Sequence, residues 1–196
     1  MSEDDFTHKD TINTSLRVVN ESVDRCKAIT HRLLGFARRT DVYEEQLDVN
    51  DIIREVLQFL DNSIRYNKIQ LELHLDDKLP LTTSDRLQLQ QIFLNIINNA
   101  IDAIGKSGLI QIRSKGSEND VQVTIEDNGP GISEEVLPNI FEPFYTTKET
   151  GKGTGLGLSI TYGLVKKLGG DIAVRSRLGQ GTLFTITIPL RNRYHE

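Results

Sequence analysis

Four glycines at every second position, Gly151, Gly153, Gly155 and Gly157, constrain this 196-residue chain more than any other feature. Glycine weakens helix and strand interiors alike, so the run reads as a flexible loop. It opens directly into a helical pattern, Ser159-Ile160-Thr161-Tyr162-Gly163-Leu164-Val165. A loop feeding a helix N-terminus aims free backbone N–H groups and the positive end of the helix dipole the same way. A nucleotide phosphate is therefore the first ligand to consider, although an ordinary mobile loop would look the same in isolation. The spacing is not Gly-x-x-x-x-Gly-Lys-[Ser/Thr]. Nor is it Gly-x-Gly-x-x-Gly, because Leu156 or Leu158 stands where the last glycine belongs.

The elements around the loop suggest one full domain with an appendage. Ile12, Leu16, Val19, Val23, Cys26, Thr30, Leu33 and Ala37 follow a 4-3 spacing, and Ile29, Leu34 and Phe36 widen the apolar face toward a bundle. One helix cannot bury that face alone, which predicts self-association through the helix around Ile12 to Ala37; packing against the chain's own globular part is the alternative. Residues 38–48 are polar and read as a linker or frayed helix end. Ile52, Ile53, Val56, Leu57 and Leu60 mark a helix over 51–66, and strict alternation marks a strand over 69–75. Ser84 or Asp85 caps a long helix that Gly105 stops after Ile104. Strands are expected at 109–114, 121–126, 171–176 and 183–188, with a helix after the glycine run ending at Gly169-Gly170. The pattern predicts an α+β sandwich, one mixed sheet covered by helices on one face.

Acidic residues outnumber basic ones, 28 to 23, and no basic run occurs, so nucleic acid is a poor partner. A single cysteine, Cys26, excludes an internal disulfide framework and fits a reducing compartment. No apolar run long enough to span a membrane and no signal peptide at Met1-Ser2-Glu3-Asp4-Asp5 are present. The expectation is a cytoplasmic chain without membrane contact of its own, whether or not its parent protein is membrane-anchored.

Three further segments bear on the loop. Asn95, Asn99 and Asp102 fall at i, i+4 and i+7 on one helix face. The two carboxamides can offer oxygens to a hard cation and N–H donors to phosphate; a solvated polar stripe is the plain alternative. Asp127-Asn128-Gly129-Pro130-Gly131-Ile132 follows a strand, and its glycines permit close backbone approach to a flat ring. A carboxylate there can accept from an exocyclic amine such as adenine N6, although Asn-Gly and Gly-Pro alone would signal only a turn. In Phe141-Glu142-Pro143-Phe144-Tyr145-Thr146-Thr147-Lys148, the two phenylalanines read as core anchors, with hydroxyls and lysine free for a ligand. Lys148 and Lys152 flank the mobile section and can neutralise phosphate charge, or be merely solvated.

In this order the segments resemble the N, G1, F and G2 boxes of sensor histidine kinases, with Gly179-Gln180-Gly181-Thr182 similar to the final glycine box. The likeness covers residues 47–190, and its wording around Asn99-Ala100-Ile101-Asp102-Ala103 and the Phe141 segment resembles the nitrogen-regulation type. It implies a Bergerat-type α/β sandwich binding Mg-ATP under a lid. By position, Asp127 would contact the adenine amine, Gly129 and Gly131 would line the base pocket, Ile132 would belong to the ATP-binding set, and Thr182 would sit near the base. Asn95 and Asn99 would reach phosphates and magnesium. The lid would run over 146–158, carrying Thr146, Thr147, Gly153, Thr154, Gly155, Leu156, Gly157 and Leu158. Many such kinases place a lysine where this chain has Asp102; Lys148 or Lys152 would then supply the positive charge.

The family's phosphoacceptor box, His-Glu-x-x-Asn-Pro, is absent from these residues. The segment 25–38 instead resembles the second dimerisation helix, so His31 would not be the acceptor, and His8, His74 and His195 lack supporting context. The resemblance thus implies a partial dimerisation region over 1–45 and a catalytic domain over 46–196. Phosphoryl transfer from ATP would go to a histidine outside the chain, then to a response-regulator receiver domain, without autophosphorylation in isolation. Two alternatives stand: an ATP-hydrolysing clamp of the same superfamily, and a nucleotide-binding regulatory or dimerisation module. The clamps carry a glutamate where this chain has Asn95, a poor general base.

Overall fold

Alternating burial along the strands sets the architecture. The computed structural model describes residues 44–148 and 153–191, all within the second of the chain's two units, Val42–Glu196. The expected bundle helix, with Cys26, His8 and His31, lies outside the described residues, as do Gly151, Lys152 and His195.

The elements are β1 (Glu45–Leu47), α1 (Val49–Tyr66), β2 (Ile69–His74), β3 (Thr82–Ser84), α2 (Arg86–Ile104), β4 (Gly108–Gly116), β5 (Asp120–Asp127), a 3-10 turn (Leu137–Asn139), α3 (Gly157–Lys167), β6 (Asp171–Arg177) and β7 (Gly181–Pro189). A five-stranded sheet has the order β2-β4-β5-β7-β6. Its β2–β4 pair is parallel and the other three are antiparallel. A parallel pair requires a crossover, and the segment carrying β3 and α2 supplies it. On the inner face, Ile110, Ile112, Val121, Val123, Ile125, Phe184, Ile186 and Ile188 are all 5% exposed or less. The outer face carries Gln111, Arg113, Gln122 and Glu126, with Arg113 pairing to Glu126 at 3.2 Å. One dry and one polar face is the expected condition of an antiparallel sheet covered on one side.

The covering helices start where carboxylates cap them. Asp48 accepts from Asn50 N–H at 2.8 Å before α1, and Asp85 from Gln88 N–H at 3.0 Å before α2. Gly105, at φ +72°, ends α2. α2 packs against both α1 and α3 and lies over β4 and β5. Its Leu89, Ile92, Phe93 and Ile97 are fully buried, each contributing about 1.5–3 kcal/mol. The sandwich expected from the pattern is borne out.

One segment departs from expectation. Residues 45–47, read as part of a linker, pair antiparallel with 82–84 in a second, two-stranded sheet. Three-residue strands are too short to show a period. This ribbon closes the domain: Thr83 N–H donates to the Leu190 carbonyl at 2.9 Å, and the Thr82 hydroxyl to that of Pro189 at 2.7 Å. Arg86 reaches Glu55 at 2.7 Å and Glu45 at 3.3 Å, tying β1 to α1 and α2. The hydrogen bond to Glu55 leads the effects that raise its pKa.

Candidate nucleotide site

The inward row at one end of the sheet is polar. Asp127, the last residue of β5, stands opposite Thr182 on β7, and Thr182 stands opposite Ser176 on β6. Residues directly opposite across strands share a face, so the three side chains form a line. Asp127 is 5% exposed and Thr182 6%. Burial pushes the Asp127 carboxyl up, while the backbone N–H groups of Gly129 and Thr182 pull it down and neighbouring Glu126 adds to the rise. The Gly129 N–H donates to Oδ1 at 2.9 Å. The result is an oriented carboxylate whose remaining lone pairs suit an amine donor.

Gly131, at φ +71°, would place a Cβ 2.1 Å from the Arg177 carbonyl oxygen, and Gly181, at φ +91°, one 1.9 Å from that of Asp127. The close neighbour that demands glycine is thus the chain's own backbone: the turn after β5 lies against the β6–β7 hairpin. Ile132 is half-buried against the core and its N–H donates to Ser176 Oγ at 2.8 Å.

The asparagine face of α2 reaches the other end of the site. Asn95, 9% exposed, donates through Nδ2 to the Gly157 carbonyl at 3.3 Å and to Thr161 Oγ1 at 3.2 Å. Thr161, fully buried, donates in turn to the Gly157 carbonyl at 2.9 Å. Asn95 therefore holds the first turn of α3 in place. Asn99, one turn on, is half-buried, and Asp102 is exposed. α3 begins at Gly157 after Leu156, without a side-chain cap, and a Cβ at Gly157 would meet nothing. Thr154 precedes its leading N–H groups and half-buried Leu158 follows them; N–H groups at an uncapped helix start suit an anion.

The loop before α3 is pinched at its base. Phe144 N–H donates to the Gly155 carbonyl at 2.9 Å. Both residues have positive φ, +67° and +64°, and a Cβ at Gly155 would sit 2.3 Å from the Phe144 carbonyl carbon. Phe141 is the core anchor expected, half-buried and 5.3 Å from the Tyr162 ring. Phe144 is not: it is 73% exposed, because its left-handed backbone turns it out of the core. Thr146 and Thr147 are exposed. Thr146 Oγ1 accepts from Lys148 N–H at 3.2 Å, and a Cβ at Gly153 would lie 2.5 Å from it. Lys148 Nζ meets Asp102 Oδ2 at 2.6 Å, joining this segment to the last turn of α2. Both residues belong to the site expected from the motifs, where nothing in the sequence pairs them.

Residues 84–192 match the family described as Histidine kinase-, DNA gyrase B-, and HSP90-like ATPase. The chain belongs to this ATPase family. Among curated relatives it is 34% identical over 91% of its length to sporulation kinase E of Bacillus subtilis (strain 168), and 34% identical over 89% to sensor histidine kinase ZraS of Escherichia coli (strain K12). It spans 24% and 37% of those proteins. Among solved structures, the catalytic domain of histidine kinase ThkA is 35% identical, with a TM-score of 0.69 over 76% of this chain and 99% of that one. A structure of histidine kinase ThkA in complex with response regulator protein TrrA is 28% identical, with a TM-score of 0.78 over 94% of this chain and 53% of that one. The domain is thus an ATP-binding catalytic domain of the histidine kinase type.

Within this ATPase domain, three residues to which the motifs assign no role support the site. Thr161 fixes Asn95, Ser176 contacts both the glycine turn and Thr182, and Asn128 accepts from Leu109 N–H at 2.7 Å. The signal for Ser176 was present: two strands joined through Leu178-Gly179-Gln180 pair as a hairpin, which brings Ser176 near Thr182. Among the described residues no helix is long and apolar enough to cross a membrane.

Proposed function

We propose that this chain is the Mg-ATP-binding catalytic region of a two-component sensor histidine kinase. It transfers the γ-phosphoryl group of ATP to a histidine nitrogen outside these 196 residues, from which the group passes to a response-regulator receiver domain. The observation carrying this over the ATP-hydrolysing clamp is Asn95. An amide has no basicity with which to activate water, and its Nδ2 is committed to Gly157 and Thr161. The kinship with ThkA, whose complex contains a response regulator, supports the choice of acceptor. The wording around Asn99 and Phe141 supports a nitrogen-regulation-like type.

In this reading Asp127 accepts the adenine amine, with Gly129, Gly131, Ile132 and Thr182 around the base. Among the described residues no three His, Cys, Asp or Glu side chains converge on a metal site. Asn95 Oδ1, which accepts a long 3.4 Å contact from Gln91 Nε2, and the amide of half-buried Asn99 could each offer an oxygen to magnesium, which keeps water and nucleotide phosphate among its ligands. Asn95 and Asn99 would hold it, and it would supply neutralisation of phosphate charge. The uncapped start of α3, with Gly153 to Leu158, receives phosphate oxygens, and Lys148 or Lys152 adds positive charge. The protein's share of catalysis is positioning and charge stabilisation. Dimerisation through the helix around Ile12 to Ala37, within a region 1–45 preceding the catalytic domain 46–196, and a cytoplasmic location complete the proposal.

Labelled ATP tests it. A protein that adds a His-Glu-x-x-Asn-Pro helix to this chain should take up acid-labile label, the chain alone should not, and Asn99→Ala should abolish the signal. Steady-state hydrolysis by the chain alone, lost when Asn99 is changed, would return the clamp to first place.

A further inference from the structure

The row Asp127–Thr182–Ser176 carries an inference about base selection, which rests on the proposed placement of the base beside Asp127. Ser176 Oγ has three oxygen or nitrogen neighbours. It accepts from Ile132 N–H at 2.8 Å, lies 2.7 Å from the Gly181 carbonyl oxygen, and lies 2.9 Å from Thr182 Oγ1. A serine hydroxyl has one hydrogen, and a carbonyl oxygen has none. The 2.7 Å contact with Gly181 therefore consumes the Ser176 hydrogen, since two bare oxygens would otherwise face each other at that distance. The contact between Ser176 and Thr182 must then use the hydrogen of Thr182. That leaves Thr182 Oγ1 with lone pairs only, beside the Asp127 carboxylate, which also only accepts.

We infer that Ser176 is a specificity-determining residue: by taking the Thr182 hydrogen, it makes this end of the base site acceptor-only. A six-amino purine, which donates from its exocyclic nitrogen, suits such a site. A six-oxo purine turns an acceptor oxygen to the point where the amine donates and loses that hydrogen bond, and because its N1 carries a hydrogen that the site can still accept, the discrimination is partial rather than absolute. Ser176 does this without touching the base. Its discrimination against the oxo base acts through the orientation of a neighbour's hydroxyl. With Ser176 removed, the Thr182 hydrogen is released from that acceptor and can turn to the oxygen of an oxo base in competition with the Asp127 carboxylate, so discrimination against the oxo base relaxes while the Asp127 interaction with the amine persists.

ATP and ITP, alike except in the purine ring around position six, make the comparison direct. Affinities of this chain for both are measured by calorimetry for wild type, Ser176→Ala, and the matched pair Ser176→Thr and Ser176→Val. The last two have nearly the same shape and differ in the hydroxyl, so a folding defect common to both cancels between them. The expected result is a preference for ATP over ITP in wild type and Ser176→Thr. That preference should shrink about five- to tenfold in Ser176→Ala and Ser176→Val, the worth of one hydrogen bond, mainly through tighter ITP binding. An unchanged ratio, or a parallel loss for both nucleotides, would overturn the assignment and leave Ser176 a structural residue. Wild type binding neither nucleotide, or binding ATP equally well after Asp127→Ala, would instead overturn the placement of the base itself.

Discussion

Asp127→Asn separates the binding role of this carboxylate from its effect on folding. The Gly129 N–H sits 2.9 Å from Oδ1, so in the variant the amide oxygen is fixed at that corner and the NH2 group faces the base. An amine that met a charged acceptor then meets a donor. The loss of a hydrogen bond to a charged group is about 1.5–3 kcal/mol, and the opposed donors place the effect near the upper end, on the order of 100-fold in ATP affinity. Stability should move the other way with pH. Burial raises the Asp127 pKa in the folded chain above its unfolded value, which is about 3.9. The stability linked to the protonated carboxyl is fully present below pH about 4 and is lost as pH rises through the higher folded value. Asparagine has no such dependence, so the melting temperature of the variant relative to wild type should climb from pH 4 to pH 7. Calorimetric ATP titration and melting curves across that range measure both. A constant melting difference together with unaltered ATP affinity would refute the reasoning.

Other substitutions probe the remaining parts. Lys148→Ala removes a pair whose side chains are 36% and 56% exposed, so unfolding free energy should change by less than about 1 kcal/mol, while ATP titration should show affinity lowered about five- to tenfold. Thr161→Val removes the buried hydroxyl that accepts from Asn95 Nδ2 and donates to the Gly157 carbonyl, leaving those two groups their mutual 3.3 Å contact, and urea unfolding should show a loss of about 1–2 kcal/mol. Gly155→Ala forces a Cβ against the Phe144 carbonyl at φ +64°, and its melting temperature should fall by several degrees, as about 1–2 kcal/mol of left-handed strain adds to the clash.

Much of the fold was legible because burial follows a period. Ile110 and Ile112 alternate with polar residues on β4, Ile92 and Ile96 recur at helical spacing on α2, and Asp85 and Gly105 mark that helix's ends with familiar chemistry. The ribbon of 45–47 and 82–84 escaped because three residues carry no period, and its partner lies more than thirty positions away. The site's residues could be named from their motifs, but their couplings could not. Lys148 and Asp102 are 46 positions apart, and no local rule pairs them. Phe144 was misread because an aromatic residue in an apolar-looking segment suggests the core, whereas its positive φ follows from a close approach to Gly155 that only folding creates.

That approach has a consequence for how the domain can vary. Phe144 and Gly155 are tied by a main-chain hydrogen bond, so the two ends of the ten-residue segment between them are held at one point of the fold. Lengthening a closed loop is thermodynamically mild, about 0.6 kcal/mol for each doubling. Insertions and deletions between these two residues should therefore be absorbed with little change in the remainder of the domain. The stretch nearest the proposed chemistry would then be the part of the sequence freest to change in length.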